Sequence, residues 1–121
     1  MMGNTLGELT FGEFITVKRK QANIQLRDFA GMLSISAGYL SQIERGTRPA
    51  PTFQNQLKLV QVLGLTDEER DLLFDLAAET RVRNAVPLDI AEYVMQDRAL
   101  RAFLRTAVRL GYSGEDLQKL I

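Results

Sequence analysis

Ser41 and Gln42, with Arg45 one helical turn on and Arg48 just past Gly46, gather a hydroxyl, an amide and two guanidinium groups in one short stretch. Such groups donate and accept hydrogen bonds and carry positive charge. The usual nucleophile–base arrangements have nothing to work with, because there is no histidine and no cysteine. Histidine acid–base pairs, thiolate nucleophiles, disulfides and the common zinc sites are thereby excluded. Asp and Glu are present, but no pair stands out at metal-binding or acid–base spacing. The chemistry open to these residues is recognition of an anion or of a hydrogen-bonding edge. No enzymatic activity, metal site or cofactor is expected.

Charge distribution points the same way. The formal total is zero. Residues 1–65, however, hold seven basic side chains (Lys18, Arg19, Lys20, Arg27, Arg45, Arg48, Lys58) against four acidic ones, a net of +3. Residues 66–121 hold eight basic against eleven acidic, a net of −3. An anion-binding N-terminal part and a C-terminal part with a different task follow from that asymmetry. No apolar run approaches the roughly 18 residues needed to span a bilayer. The N-terminal MMGNTLGELTFGEF lacks the basic region and apolar stretch of a secretory signal, so a cytoplasmic location is expected.

The elements that must position these residues all read as helices, and no stretch sustains a strand-like alternation. Thr10 and Glu13 form a capping-box pair ahead of a first helix at about Phe11 to Gln21. A second helix is expected at about Gln25 to Leu33. Ser36 is placed to cap a third from Ala37 to Arg45, which Gly46 ends in a left-handed conformation. Pro49 and Pro51 stiffen the next connection. Thr52 opens a fourth helix, Phe53 to Leu63, with Leu57, Val60 and Leu63 turned inward. Thr66 opens a fifth, Asp67 to Glu79. Residues 1–79 are read as one domain, 80–87 as a linker and 88–121 as a C-terminal helical extension. Its helices are expected at Leu88 to Met95 and Arg98 to Leu110, with a last one capped by Ser113 and Asp116.

Two short helices joined by a tight turn, with the small Ala30 where they cross, make the arrangement of a helix-turn-helix. Leu26, Phe29, Leu33, Ile35, Leu40 and Ile43 supply its shared core. Ala37, Gly38, Ser41, Gln42 and Arg45 are left on the other face of the third helix.

At this segment, and over about Phe11 to Leu65, the sequence resembles the phage repressor/Cro family of helix-turn-helix regulators, also called the XRE family. The piece SAGYLSQIERG, residues 36–46, followed by Arg48 and a proline, is the most recognisable part of the match. The resemblance implies an all-α fold, a five-helix repressor-like domain with an extension of two to three helices. It further implies a homodimeric repressor that sets its third helix in the major groove of double-stranded operator DNA. Carried over by position, Ser36, Ala37, Gly38, Ser41 and Gln42 face bases, and Gln25, Arg27, Tyr39, Arg45, Thr47 and Arg48 meet phosphates. Gln42 has the strongest chemical case for base reading, since an amide can bond adenine N6 and N7 together.

The family often carries long polar side chains where this chain has Ala37 and Gly38. Direct readout is therefore expected to be thin, with affinity resting on phosphates and DNA shape. Gly38 costs about 1 kcal/mol of helix propensity relative to alanine, which close backbone approach to DNA would offset. Tyr39 fits packing against the turn as well as a DNA contact, and Glu44 is expected to order the local turn. Lys18, Arg19 and Lys20 suit either a DNA-facing cluster or the negative end of the helix dipole.

In the C-terminal part, Ile90, Tyr93, Val94, Leu100, Phe103, Leu104, Ala107 and Val108 exceed what one helix pair can bury. Tyr93, Leu100, Phe103 and Leu104 are the candidates for a dimer or partner contact. Arg98, Arg101, Arg105 and Arg109 form a basic stripe, for which a solvated face is favoured over an acidic-partner site. The IAEYV and LRTA pieces are similar to extensions on some repressor-like antitoxins and on regulators encoded beside metallopeptidase genes. That likeness adds a toxin or other protein partner as an alternative.

Overall fold

A computed structural model of the protein describes residues 8–81 and 85–121. Among them are α1 (Phe11–Gln21), α2 (Leu26–Met32), α3 (Ala37–Glu44), α4 (Phe53–Leu63), α5 (Asp67–Glu79), α6 (Leu88–Gln96), α7 (Arg98–Leu110) and α8 (Gly114–Gln118), and no strand. The expected all-α class, a helix-turn-helix domain with C-terminal helices, is what the chain adopts. Two compact units are present, Met1–Asp89 and Ile90–Ile121. Residues 1–7 of the expected first domain and 82–84 of the expected linker lie outside the described residues.

Each helix start follows from local chemistry. Thr10 and Glu13 close the capping box of α1, and Thr66 with Glu69 does the same for α5. Ser36 Oγ accepts from the Tyr39 amide at 3.0 Å and Thr52 Oγ1 from that of Asn55 at 3.3 Å. Each cap is worth about 1 kcal/mol. Gln25 precedes α2 without a side-chain cap.

The helix ends share a second device. After α1, Asn23 bonds back to Lys20 and Ile24 to Arg19; after α2, Ser34 bonds to Gly31 and Ile35 to Ala30; after α3, Gly46 bonds to Ile43 and Thr47 to Gln42. This paired pattern needs one left-handed residue, and Asn23 (φ 58°), Ser34 (φ 58°) and Gly46 (φ 81°) provide it. Only at Gly46 did the residue type announce the conformation. The turn of the helix-turn-helix is thus a helix-terminating motif built on a serine.

The core of the first unit joins Phe11, Phe14 and Ile15 of α1 to Phe29 and Ala30 of α2, Leu33, Leu40 and Ile43 around α3, Leu59 of α4, and Leu73, Phe74, Leu76 and Ala77 of α5. The inward face of α4 differs from expectation. Leu57, Val60 and Leu63 pack at the core margin, whereas Leu59 and Gln56 are fully enclosed. The buried Gln56 amide is half satisfied: Nε2 donates to the Pro51 carbonyl at 2.9 Å, and Oε1 has no hydrogen-bond partner among the described residues. Phe53 and Phe74 meet at 5.6 Å between ring centroids, and the Arg70 guanidinium lies 4.8 Å over the Phe74 ring.

In the second unit, Asp97 caps α7 by accepting from the Leu100 amide at 2.9 Å. Arg101 Nη1 donates to the Val94 and Met95 carbonyls, satisfying the end of α6. Ser113 and Asp116 form the expected capping box of α8. Among residues 90–121 only Ala107 is buried.

Candidate nucleic-acid interface

α3 is held in place by its backbone as much as by its side chains. Leu40 and Ile43 bury one face of it. Gly12 of α1 sits against its C-terminal turn so closely that a Cβ there would stand 2.4 Å from the main-chain oxygens of Ile43 and Glu44. The absence of a side chain at Gly12 is what allows this crossing. Sequence reasoning passed over it, although a glycine inside an apolar helix face is a signal of close approach.

Electrostatics lock the same crossing. Arg19 Nε and Nη2 donate to the two carboxylate oxygens of Glu44 at 2.9 and 3.1 Å, and Nη1 donates to the Ile24 carbonyl at 2.9 Å. The pair is nearly enclosed, with side chains 12% and 8% exposed. Glu44 therefore ties α3 to α1 rather than only ordering its own turn. Lys18 is spent as well, on Glu69 of α5. Of the basic cluster at the end of α1, only Lys20 stays at the surface. The Lys18 ammonium, by its hydrogen bond, is also the first cause that holds the Glu69 carboxyl below its ordinary pKa, with the Thr66 amide second.

The opposite face of α3 is thinly furnished. Ser36 and Gly38 are exposed, Ser41 and Gln42 half-buried, and Ala37 is half-buried against the core margin. A Cβ on Gly38 would meet nothing within 4 Å, so no internal contact requires a glycine there. Tyr39 is half-buried and packs at the core margin. Arg45, Thr47 and Arg48 are exposed beyond the helix, with Arg45 Nε reaching the Ser41 carbonyl at 3.3 Å. Thr47 caps the Gln42 carbonyl through both its amide (3.0 Å) and its hydroxyl (3.1 Å). Arg48 Nε donates to Gln42 Oε1 at 3.2 Å, a link that no sequence spacing suggests.

Gln25 and Arg27 are exposed at the first turn of α2 and share a shallow cleft with Leu26, Asp28 and Ala37. The N-terminal ends of α2 and α3 therefore lie side by side, each presenting the positive end of its dipole, with the Tyr39 amide already bonded to Ser36. An anion and a polar edge can be met together on this surface.

Of the expected partner residues, Tyr93, Phe103 and Leu104 are exposed and Leu100 is half-buried. No helix among the described residues is long and apolar enough to cross a membrane.

No curated protein and no solved structure matches the chain. A family model described as a helix-turn-helix domain matches residues 10–73, from the cap of α1 into α5. With more than half of its length under that model and with α2, the Ser34 turn and α3 in the matching geometry, the chain belongs to the helix-turn-helix domain family.

Proposed function

We propose that the protein is a sequence-specific transcriptional regulator of the repressor/Cro type, which binds operator DNA as a homodimer with α3 in the major groove. A helix-turn-helix domain supports DNA binding and regulation of transcription. The observation that carries the finer reading is the contrast between the two faces of α3. One is fixed by Gly12, Arg19 and the core, while the other offers Ser41, Gln42 and the neighbouring Arg45 and Arg48 without any side-chain bond into the core.

In this reading Ser36, Ala37, Gly38, Ser41 and Gln42 approach bases, and Gln25, Arg27, Tyr39, Arg45, Thr47 and Arg48 settle on the phosphates. Two copies about 34 Å apart would match the half-sites of a palindrome, one α3 to each. The protein works where its DNA is, in the cytoplasm, and acts on its own promoter.

The test is binding of the purified protein to its upstream DNA at two salt concentrations, beside Gln42→Ala. Salt-sensitive binding that prefers this DNA, with the preference relaxed in the variant, is expected. Binding no better than to random DNA would overturn the reading.

The apolar surface of the second unit favours a protein contact as well. Tyr93 is 64% exposed and Val108 80%. Self-association through Tyr93, Leu100, Phe103 and Leu104 is the first use of that surface, because a dimer is what a two-fold operator needs. An antitoxin-like role, in which these helices mask a toxin, is the second. Light scattering of the purified chain separates them: a dimer that Phe103→Asp dissociates supports the first, and a stable monomer the second.

A further inference from the structure

Gln42 and Arg48 are joined before any ligand arrives, and that joint changes what Gln42 can read. Arg48 Nε donates to Gln42 Oε1 at 3.2 Å. A guanidinium carries donors only, so the amide atom turned toward it must be the oxygen. The amide Nε2, with its two donors, is left facing away. The chain segment bearing Arg48 is fastened to the same residue, because the Thr47 amide and hydroxyl both bond the Gln42 carbonyl.

A free glutamine suits adenine, where one atom must accept from N6 while the other donates to N7. Here one of the two lone pairs of Oε1 is taken by Arg48. What the pair offers outward is the Gln42 NH2 and the remaining guanidinium N–H groups, several donors against the single lone pair that Oε1 retains. In the major groove guanine alone sets two acceptors, N7 and O6, side by side. Adenine places its N6 donor there, thymine one acceptor beside a methyl group, and cytosine a donor. Ala37 and Gly38 have no side-chain polar atoms with which to compete.

We propose that Gln42 and Arg48 act as one composite reader of guanine in the major groove. This rests on the reading that α3 enters that groove, and it replaces both the adenine preference that Gln42 alone implies and the phosphate role given to Arg48 by position.

The test selects sites for the full-length protein from a randomised double-stranded DNA library. Affinities for the best site and its single-base variants are then measured for the wild type, Gln42→Ala, Arg48→Met and Arg48→Lys. The base read by the pair is the position whose preference Gln42→Ala changes. There the wild type is expected to favour guanine over adenine by about tenfold. Arg48→Lys, which keeps the charge but lacks the guanidinium N–H groups beyond the one bonded to Oε1, lowers that ratio. Arg48→Met releases Oε1 and moves the preference toward adenine.

Adenine preferred by the wild type at that position, or no position altered by Gln42→Ala, overturns the inference. So does Arg48→Met weakening every sequence equally, which marks Arg48 as a phosphate contact only. A library that yields no enriched sequence overturns the reading of a sequence-specific binder, and the guanine reader falls with it. Thermal midpoints of the variants, Arg48 being exposed and Gln42 half-buried, separate these outcomes from loss of fold.

Discussion

Replacing Gly12 by alanine inverts the usual sign of a glycine-to-alanine change within a helix. On propensity alone the variant gains about 1 kcal/mol. The new Cβ, however, would stand 2.4 Å from the carbonyl oxygens of both Ile43 and Glu44. Carbon–oxygen contacts settle at about 3.3–3.6 Å, so α1 and α3 must part by roughly 1 Å. Neither oxygen can rotate away, since both belong to the main chain of α3. Parting the helices also stretches the Arg19–Glu44 fork from its 2.9 and 3.1 Å bonds and loosens Phe11 and Ile15 against Ile43. Overpacking in a tight core costs about 1–3 kcal/mol and occasionally more. A clash with two immovable atoms belongs at the upper end of that range. After the propensity gain, a net loss of about 2 kcal/mol remains. In a domain of this size that lowers Tm by about 8–16 °C. Urea and thermal unfolding followed by circular dichroism read it directly. A variant that unfolds at or above the wild-type midpoint, with unchanged m, would refute the claim that this crossing requires a glycine.

Gly38→Ala has the opposite expectation on stability. Its Cβ meets open space, so unfolding free energy should rise by about 0.5–1 kcal/mol. Affinity for operator DNA should fall if the α3 backbone approaches the bases, as fluorescence anisotropy would report. Glu44→Ala strands a nearly enclosed Arg19 and should cost about 3 kcal/mol. The double change Arg19→Met with Glu44→Leu should cost less than Glu44→Ala alone in a double-mutant cycle. The pH dependence carries two signs. Glu69 has a lowered folded-state pKa, so its contribution is present above the ordinary carboxylate value and is lost as pH falls through the lowered one. Lys18→Met should flatten that acid limb of the stability curve. Asp75 is raised by partial desolvation first, and then by the carboxylates of Asp89, Asp71 and Glu79. Its penalty is felt at neutral pH and relieved as pH falls through the raised value. Asp75→Asn should therefore stabilise the protein at pH 7, with the gain vanishing in acid.

What the sequence showed plainly was whatever is local. Thr10, Ser36, Thr52, Thr66 and Ser113 cap the helices they precede, because a cap and its partner amide lie three residues apart. Gly46 announced its own conformation. The helix-turn-helix core, Phe29, Leu33, Leu40 and Ile43, followed from helical spacing. Less was legible wherever a residue's role depends on a distant chain segment. The left-handed Ser34 has no side-chain signature of that conformation. Lys18 and Arg19 read as a DNA-facing cluster or as partners of the helix dipole, because Glu69 and Glu44, which they bond, are far away in sequence. Gln56, polar by type, is enclosed with only its Nε2 bonded, and nothing in its residue type signals that burial. The candidate site divided in the same way. Its residues could be named from the pattern of α3, but the bond from Arg48 to Gln42 depends on the path the chain takes after Gly46.

The manner in which α1 seats α3 bears on how such a protein changes over generations. Gly12 touches main-chain oxygens, which every amino acid possesses, and Leu40 and Ile43 bury only the inner face. The seat is therefore indifferent to which side chains occupy Gly38, Ser41 or Gln42. Substitutions there can accumulate without first weakening the scaffold, so the recognition surface and the fold drift under separate selection. A duplicated copy could acquire a new target in a few such steps, and the same freedom makes the outer face of α3 a natural cassette for retargeting by design.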